Sequence, residues 1–139
     1  SQITKLQENI CACVAMPSQY AAVAALEGSR QHLDMMVNSY KERRDYVYNR
    51  IKEMPLVKYE KSKGTFYAFF SIKETGMSSE EFAIKLLEEK QVVVVPGDAF
   101  GEYGEGYVRL SYASSMESLE KGLDAMEDFL RKVAEQNGY

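Results

Sequence analysis

The stretch VVVVPGDAFGEYGEGYVRLSYA (residues 92–113) contains the three features that decide the predicted fold. The apolar run 92–95 predicts a strand that is covered on both faces. Pro96 and the four glycines after it predict a loop, because glycine accepts backbone angles that other residues avoid. Residues 107–112 alternate in character and predict a further strand. Together these features predict two strands of a small β-sheet, joined by a loop.

Helices are predicted on both sides of this stretch. Ser114 with Glu117 forms a predicted capping box, in which side chains bond the free amides of the first helical turn. The closing helix has an apolar stripe at helical spacing, formed by Leu119, Leu123, Met126, Leu130 and Val133. Upstream, Ser78 with Glu81 forms a second predicted capping box. Its helix has an apolar stripe formed by Phe82, Ala83, Leu86 and Leu87.

The N-terminal half adds three helices and two strands to the prediction. Apolar residues at helical spacing predict helices that end near Val14, Gly28 and Pro55. Alternating and aromatic residues predict strands at 57–59 and 65–72. The order of elements indicates an α+β fold, in which helices are layered against a small mixed sheet.

Composition and charge narrow the classes of partner and site. The 139 residues have a formal net charge of −4, which disfavours nucleic acid and anionic membranes as partners. Cys11 and Cys13 are too close in sequence for an ordinary disulfide on a helix, and with His32 as the one histidine they predict no metal site. We therefore expect a reducing, cytoplasmic location. Because Ser1 leads directly into a helical pattern, we expect the chain to begin inside a longer protein.

Arg109 is the candidate binding residue. Strand alternation places Tyr107, Arg109 and Ser111 on one face, and Val108, Leu110 and Tyr112 on the other. If the first face lines a cleft, the guanidinium is suited to grip both oxygens of a carboxylate. The alternative is a structural ion pair with one of the 21 acidic residues, and their abundance favours it. Residue chemistry alone leaves both roles open.

The glycine-rich loop 97–106 is not predicted to bind phosphate. No Lys-Ser or Lys-Thr pair follows its glycines, and the loop leads into a strand instead of a helix N-terminus. Asp98, Glu102 and Glu105 would also repel an anion. The loop is therefore interpreted as a tight connection whose glycines take positive φ.

Four segments resemble one known family. Residues 92–101 and 104–113 resemble the pattern "v-x-v-x-PG-x-x-FG…G-x-x-x-R-x-s-x-a", and residues 63–69 (KGTFYAF) are similar to "GAFY-x-F". Residues 18–26 (SQYAAVAAL) are similar to the helix "x-Q-x-a-a-x-x-AL". On this resemblance the chain is identified as the C-terminal part of a class I/II aminotransferase of fold type I, the aspartate aminotransferase type that depends on pyridoxal phosphate.

The resemblance implies roles for two residues and a division of the chain. The arginine that matches Arg109 binds the α-carboxylate of the amino-acid or 2-keto-acid substrate. The aromatic residue that matches Phe66 lies near the substrate cleft, where packing alone would explain it equally well. Residues 1–30 would be hinge-side helices between domains, and residues 31–139 the small C-terminal domain. The full-length enzymes are expected to be homodimers.

The resemblance also implies that the catalytic centre lies outside this chain. The family's cofactor lysine, its aspartate on the pyridine nitrogen and its glycine-rich phosphate site precede the position of Ser1. Lys5 lacks the Ser-x-x-Lys and Gly-x-Arg surroundings of the cofactor lysine. We therefore expect no catalytic, cofactor-binding or metal-binding residue here, and no activity of the chain alone.

Two other functions remain open at this point. One is a free-standing α+β ligand-binding module that uses Arg109 for an anionic effector. The other is a lyase, decarboxylase or synthase, because such enzymes share these C-terminal motifs. The sequence does not name the substrate amino acid.

Overall fold

The computed structural model describes residues 1–11 and 13–138, and the chain divides into two units, Ser1–Met36 and Val37–Tyr139. The first unit contains helix α1 (Gln2–Ile10), helix α2 (Met16–Glu27) and the start of helix α3 (Gln31–Ile51). The helix that we predicted to reach Val14 ends at Ile10, where Cys11 takes an extended backbone. Cysteine and valine are weak helix formers, which explains the early end. Gly28 caps α2 as predicted.

The second unit contains a three-stranded sheet and the remaining helices. Strand β1 is Tyr67–Ser71, helix α4 is Ser79–Lys90, strand β2 is Val95–Pro96, strand β3 is Tyr107–Ser111 and helix α5 is Met116–Gln136. The strand order is β1-β3-β2, and β3 pairs antiparallel with both neighbours. The α+β class is confirmed, whereas the sheet is antiparallel and not mixed. Strands β1 and β2 run in the same direction, but β3 lies between them, so no parallel pair forms.

Two predicted strands are wrong in extent. The segment 57–59 contributes a single bridge, between Lys58 and Ser71. The run 92–95 is not a strand covered on both faces, because only its last residue belongs to β2, an outer strand of the sheet. Val94 is buried, but Val93 is 71% exposed. The apolar run predicted that its side chains are buried on both faces, but at the edge of this sheet one of them, Val93, is exposed.

The core lies between one face of the sheet and the helices. Ala68, Phe70, Val108 and Leu110 face it from the strands, and Phe82 of α4 meets Phe129 of α5 edge to face, with ring centroids 5.5 Å apart. The predicted stripe of α5 is buried throughout, which confirms that helix. Its N-cap is Ser115, whose hydroxyl accepts from the amide of Ser118, and not the predicted Ser114. Both serines precede the helix, so composition could not choose between them.

The glycine-rich loop packs against itself and against α4. A β-carbon on Gly97 would overlap the carbonyl oxygen of Gly104, and one on Gly104 would overlap that of Gly97. Gly101 and Gly106 take positive φ, as predicted for the glycines of this loop. The other two glycines instead allow the backbone to approach itself closely. The loop amide of Gly106 donates to Ser79 Oγ at 2.8 Å. This bond ties the end of the loop to the first turn of α4.

Ser79→Ala should lower the free energy of unfolding by about 2 kcal/mol, because it leaves the buried amide of Gly106 without an acceptor. Ser79 is fully buried, and its own amide donates to Glu105 Oε1 at 3.0 Å. Urea denaturation of the purified chain would measure the change. Ser78→Ala is the matched control, since this exposed N-cap serine should cost only about 1 kcal/mol. A loss at Ser79 no larger than the loss at Ser78 would contradict the assignment.

Candidate functional site

Arg109 lies at the centre of the sheet, on the face that does not form the core. It pairs with Phe69 of β1 on one side and with Val95 of β2 on the other. Its strand neighbours Val108 and Leu110 are buried, whereas Arg109 itself is partly exposed. The predicted alternation of this strand is confirmed.

Two aromatic rings contact the Arg109 guanidinium. The Cζ atom of Arg109 lies 4.2 Å from the centre of the Tyr67 ring and 4.4 Å from the centre of the Phe100 ring. Tyr67 reaches it because it is a diagonal neighbour across the β1–β3 pair, within range of long side chains. Phe100 reaches it from the short 3₁₀ turn Gly97–Phe100. Such contacts stabilise a cation through the electron density of the ring faces.

No acidic side chain neutralises Arg109 in the part of the chain that the structure describes. The ion pairs found there involve other arginines and lysines, and the guanidinium of Arg109 has no side-chain hydrogen bond in residues 1–11 and 13–138. Arg50, by contrast, bonds Asp124 at 2.6 Å and Glu127 at 3.1 Å. The structural ion pair considered above for Arg109 is therefore not formed by these residues. A partly buried cation without an anion is available to bind one.

Phe66 lies beside Tyr67, one of the two rings that contact Arg109. The described cation–π contacts of Arg109 are with Tyr67 and Phe100 and do not include Phe66. The Phe66 ring packs on Tyr67 at 4.4 Å between centroids and is 40% exposed. Its predicted role near the substrate remains a prediction.

Tyr112 fixes the backbone that leads into β1. Its amide donates to the carbonyl oxygen of Phe66 at 2.9 Å, and its hydroxyl donates to that of Thr65 at 2.7 Å. Burial raises the pKa of the Tyr112 phenol above its ordinary value, so the hydroxyl keeps its proton and remains a donor. Thr65 takes a φ of 65°, which is rare for a β-branched residue. The two bonds from Tyr112 help to hold this conformation.

Comparison with known proteins assigns these features to a family. The family model described as aminotransferase class I and II matches residues 1–126. The chain belongs to this family. Among curated relatives, aromatic-amino-acid aminotransferase 2 of Thermococcus litoralis is 44% identical over 133 residues, which are 94% of this chain and 34% of the relative. Aspartate aminotransferase of Pyrococcus horikoshii is 46% identical over 131 residues, which are 93% of this chain and 34% of the relative.

Solved aminotransferase structures confirm the fold. The crystal structure of aspartate aminotransferase from Thermotoga maritima superposes with a TM-score of 0.80 at 41% identity, over 93% of this chain and 32% of that chain. The chain spans about a third of the length of the curated relatives it matches, in their C-terminal part. The helices and the small antiparallel sheet of this chain thus have the fold of the C-terminal α+β part of a fold type I aminotransferase.

The described residues of this aminotransferase chain do not fit the family's cofactor, pyridoxal phosphate. A lysine that bonds the cofactor needs a lowered pKa, which burial or a nearby cation provides. None of the described lysines is buried, and Lys5 lies exposed on α1. In the glycine-rich loop the amides of Gly101, Gly104 and Gly106 donate to acceptors within the chain, and the Glu105 carboxylate accepts from the amide of Ser79 at the N-terminus of α4. Among residues 1–11 and 13–138, no group of three metal-ligating side chains is found either.

Sequence reasoning missed Tyr67 and Phe100. Both lie inside the motifs that resemble the aminotransferase family, in residues 63–69 and 92–101. Alternation from Phe70 would have placed Tyr67 on the exposed face, where a diagonal contact with Arg109 is expected for long side chains. Nothing in the sequence indicates that the loop folds Phe100 back over the strand.

Proposed function

We propose that this chain is the C-terminal part of a pyridoxal-phosphate-dependent aminotransferase, and that Arg109 binds the α-carboxylate of the amino-acid or 2-keto-acid substrate. The observation that carries the proposal is the partly buried Arg109 guanidinium, which contacts the rings of Tyr67 and Phe100 and has no acidic partner among the described residues. A carboxylate with two parallel hydrogen bonds is the ligand that such a group accepts best.

Arg109 contributes orientation. With the carboxylate held at two oxygens, the substrate keeps its α-carbon in one position relative to the reacting groups, which lowers the entropy lost on reaching the transition state. The amino-transfer chemistry belongs to the cofactor, which the N-terminal part of the full-length enzyme would hold. Relatives at 44% and 46% identity are named for aromatic amino acids and for aspartate, so the substrate side chain is left open.

The first unit supports the proposal of a further domain. Helices α1 and α2 have no buried residue, and several of their large apolar side chains are exposed, among them Ile3, Leu6, Ile10, Tyr20 and Leu26. Apolar surface of this kind is typical of an interface. We propose that residues 1–30 are hinge-side helices against the N-terminal cofactor-binding domain of a homodimer. The free thiols of Cys11 and Cys13 are compatible with the cytoplasm as its location.

Activity measurements on the chain and on the full-length protein test this function. The chain mixed with pyridoxal phosphate should give no turnover and no borohydride-stable adduct at a unique lysine, because its described lysines are unsuited to the cofactor. The full-length protein should convert amino acid to 2-keto acid and form one new amino acid for each one consumed. Release of ammonia or carbon dioxide instead would indicate a lyase or decarboxylase, and a coding sequence without an upstream cofactor lysine would indicate a free-standing module.

A further inference from the structure

We propose that Tyr67 and Phe100 are positioning residues that orient the guanidinium plane of Arg109 for the substrate carboxylate; this proposal rests on the proposed function. The two ring centres lie 4.2 Å and 4.4 Å from Arg109 Cζ. At these distances the rings contact the cation closely, and stacked arrangements with aromatic faces are typical of arginine.

The rings restrict how an anion can approach Arg109. A guanidinium donates hydrogen bonds in its own plane, along its edges, and not from its faces. A ring that stacks on a face leaves the edge donors free. A carboxylate that arrives in the plane of the guanidinium then meets two parallel donors, which is the bidentate geometry.

Each ring is itself held by neighbours. Tyr67 belongs to β1, and its ring packs on Phe66. Phe100 meets Phe69 edge to face at 6.4 Å between centroids, and Phe69 stacks on Tyr107 at 5.3 Å with an interplanar angle of 2°. The Arg109 guanidinium therefore lies between two groups of packed rings, the Phe66–Tyr67 pair and the row formed by Phe100, Phe69 and Tyr107. Such support keeps a long arginine side chain in one rotamer before the substrate arrives.

Loss of either ring should weaken carboxylate binding without removing the charge. Tyr67→Leu and Phe100→Leu keep apolar bulk and delete the stacked ring. In the full-length enzyme each should lower kcat/KM by about tenfold, the size expected for one cation–π contact in a partly desolvated site. The dissociation constant of a competitive inhibitor that retains the substrate carboxylate should rise by a similar factor. Tyr67→Phe and Phe100→Tyr should leave both values close to those of the unaltered enzyme, because each keeps an aromatic ring.

Tyr103→Leu is the matched control for Phe100→Leu. Tyr103 lies in the same loop, is 91% exposed and has no described ring contact with Arg109. The Tyr103→Leu substitution should leave kcat/KM and inhibitor binding unchanged. The melting temperature of every variant should be measured as well, so that activity is expressed per folded molecule.

Nuclear magnetic resonance of this chain gives a readout that does not depend on activity. Arg109 Cζ lies 4.2 Å and 4.4 Å from the two ring centres, so the proposed stacking should shift the neighbouring Nε–H proton upfield through ring currents. Each leucine variant should lose part of that shift, and Tyr103→Leu should keep all of it. An unshifted Nε–H resonance in the unaltered chain would overturn the stacked geometry.

The outcomes separate the two proposals. If Arg109→Lys lowers kcat/KM strongly but both leucine variants behave like Tyr103→Leu, the positioning role is wrong and the carboxylate role stands. If Arg109→Lys leaves kcat/KM unchanged, the proposed function of Arg109 fails, whatever the ring variants do. If Tyr67→Phe and Phe100→Tyr lose as much activity as the leucine variants, the effect is not due to stacking, and the positioning role is overturned.

Discussion

Arg109→Lys should lower kcat/KM of the full-length enzyme by at least ~100-fold, or about 2.7 kcal/mol of transition-state stabilisation. Lysine keeps the positive charge but loses the planar fork of donors, so two parallel hydrogen bonds to the carboxylate cannot form. Folding should change little, because no acidic residue in the described part of the chain is left unpaired by the substitution. Steady-state kinetics and a thermal melt of the same preparation would measure both effects.

Arg131→Lys is a suitable control for this experiment. Arg131 lies on α5, is largely exposed and pairs with Glu127 of the same helix. Its replacement should alter neither kcat/KM nor the melting temperature measurably, since exposed ion pairs contribute little. A destabilised Arg109→Lys enzyme with near-normal turnover per folded molecule would contradict the carboxylate role, because a structural arginine behaves in that way.

Phe70→Ala should lower the free energy of unfolding of the chain by roughly 3–5 kcal/mol, because it opens a cavity in the core. Phe70 is fully buried, and its ring meets Tyr59 edge to face at 6.2 Å between centroids. Urea denaturation would show the change as a lower midpoint at an unaltered slope. If Phe70→Ala does not fold, Phe70→Leu should give the same trend at a smaller loss.

The adjacent residue of the same strand provides the control. Phe69 is 40% exposed and points to the opposite face of the sheet, where it stacks on Tyr107. Phe69→Ala should therefore cost about 1 kcal/mol or less. Equal losses at Phe69 and Phe70 would show that the strand is buried on both faces, against the structure.

The periodic parts of the fold could be predicted from the sequence, because the spacing of apolar residues in them fits only one type of secondary structure. The stripe of α5 and the alternation around Arg109 belong to this class. The run 92–95 does not, since four consecutive valines fit a central strand and an edge segment equally well. Sheet order decides between the two, and it depends on contacts between residues that are distant in sequence.

The candidate site was predictable only in part for the same reason. Arg109 stands out by its charge in an apolar alternating strand, and the family resemblance gives it a role. Its contacts with Tyr67 and Phe100 require a diagonal neighbour across two strands and a loop that folds back. The absence of an acidic neighbour among the described residues is likewise a property of three-dimensional packing, which counting 21 acidic residues could not reveal.

The two-residue length of β2 has a consequence for association between copies. As the outer strand of the order β1-β3-β2, it turns one side away from the sheet, beside the exposed apolar side chain of Val93. An open apolar strand edge is a template on which other molecules add strands and aggregate. Pro96 has no amide hydrogen to offer such a strand, and β2 ends there. The proline at the end of the valine run thus limits the length of edge that β2 presents to a strand of another molecule.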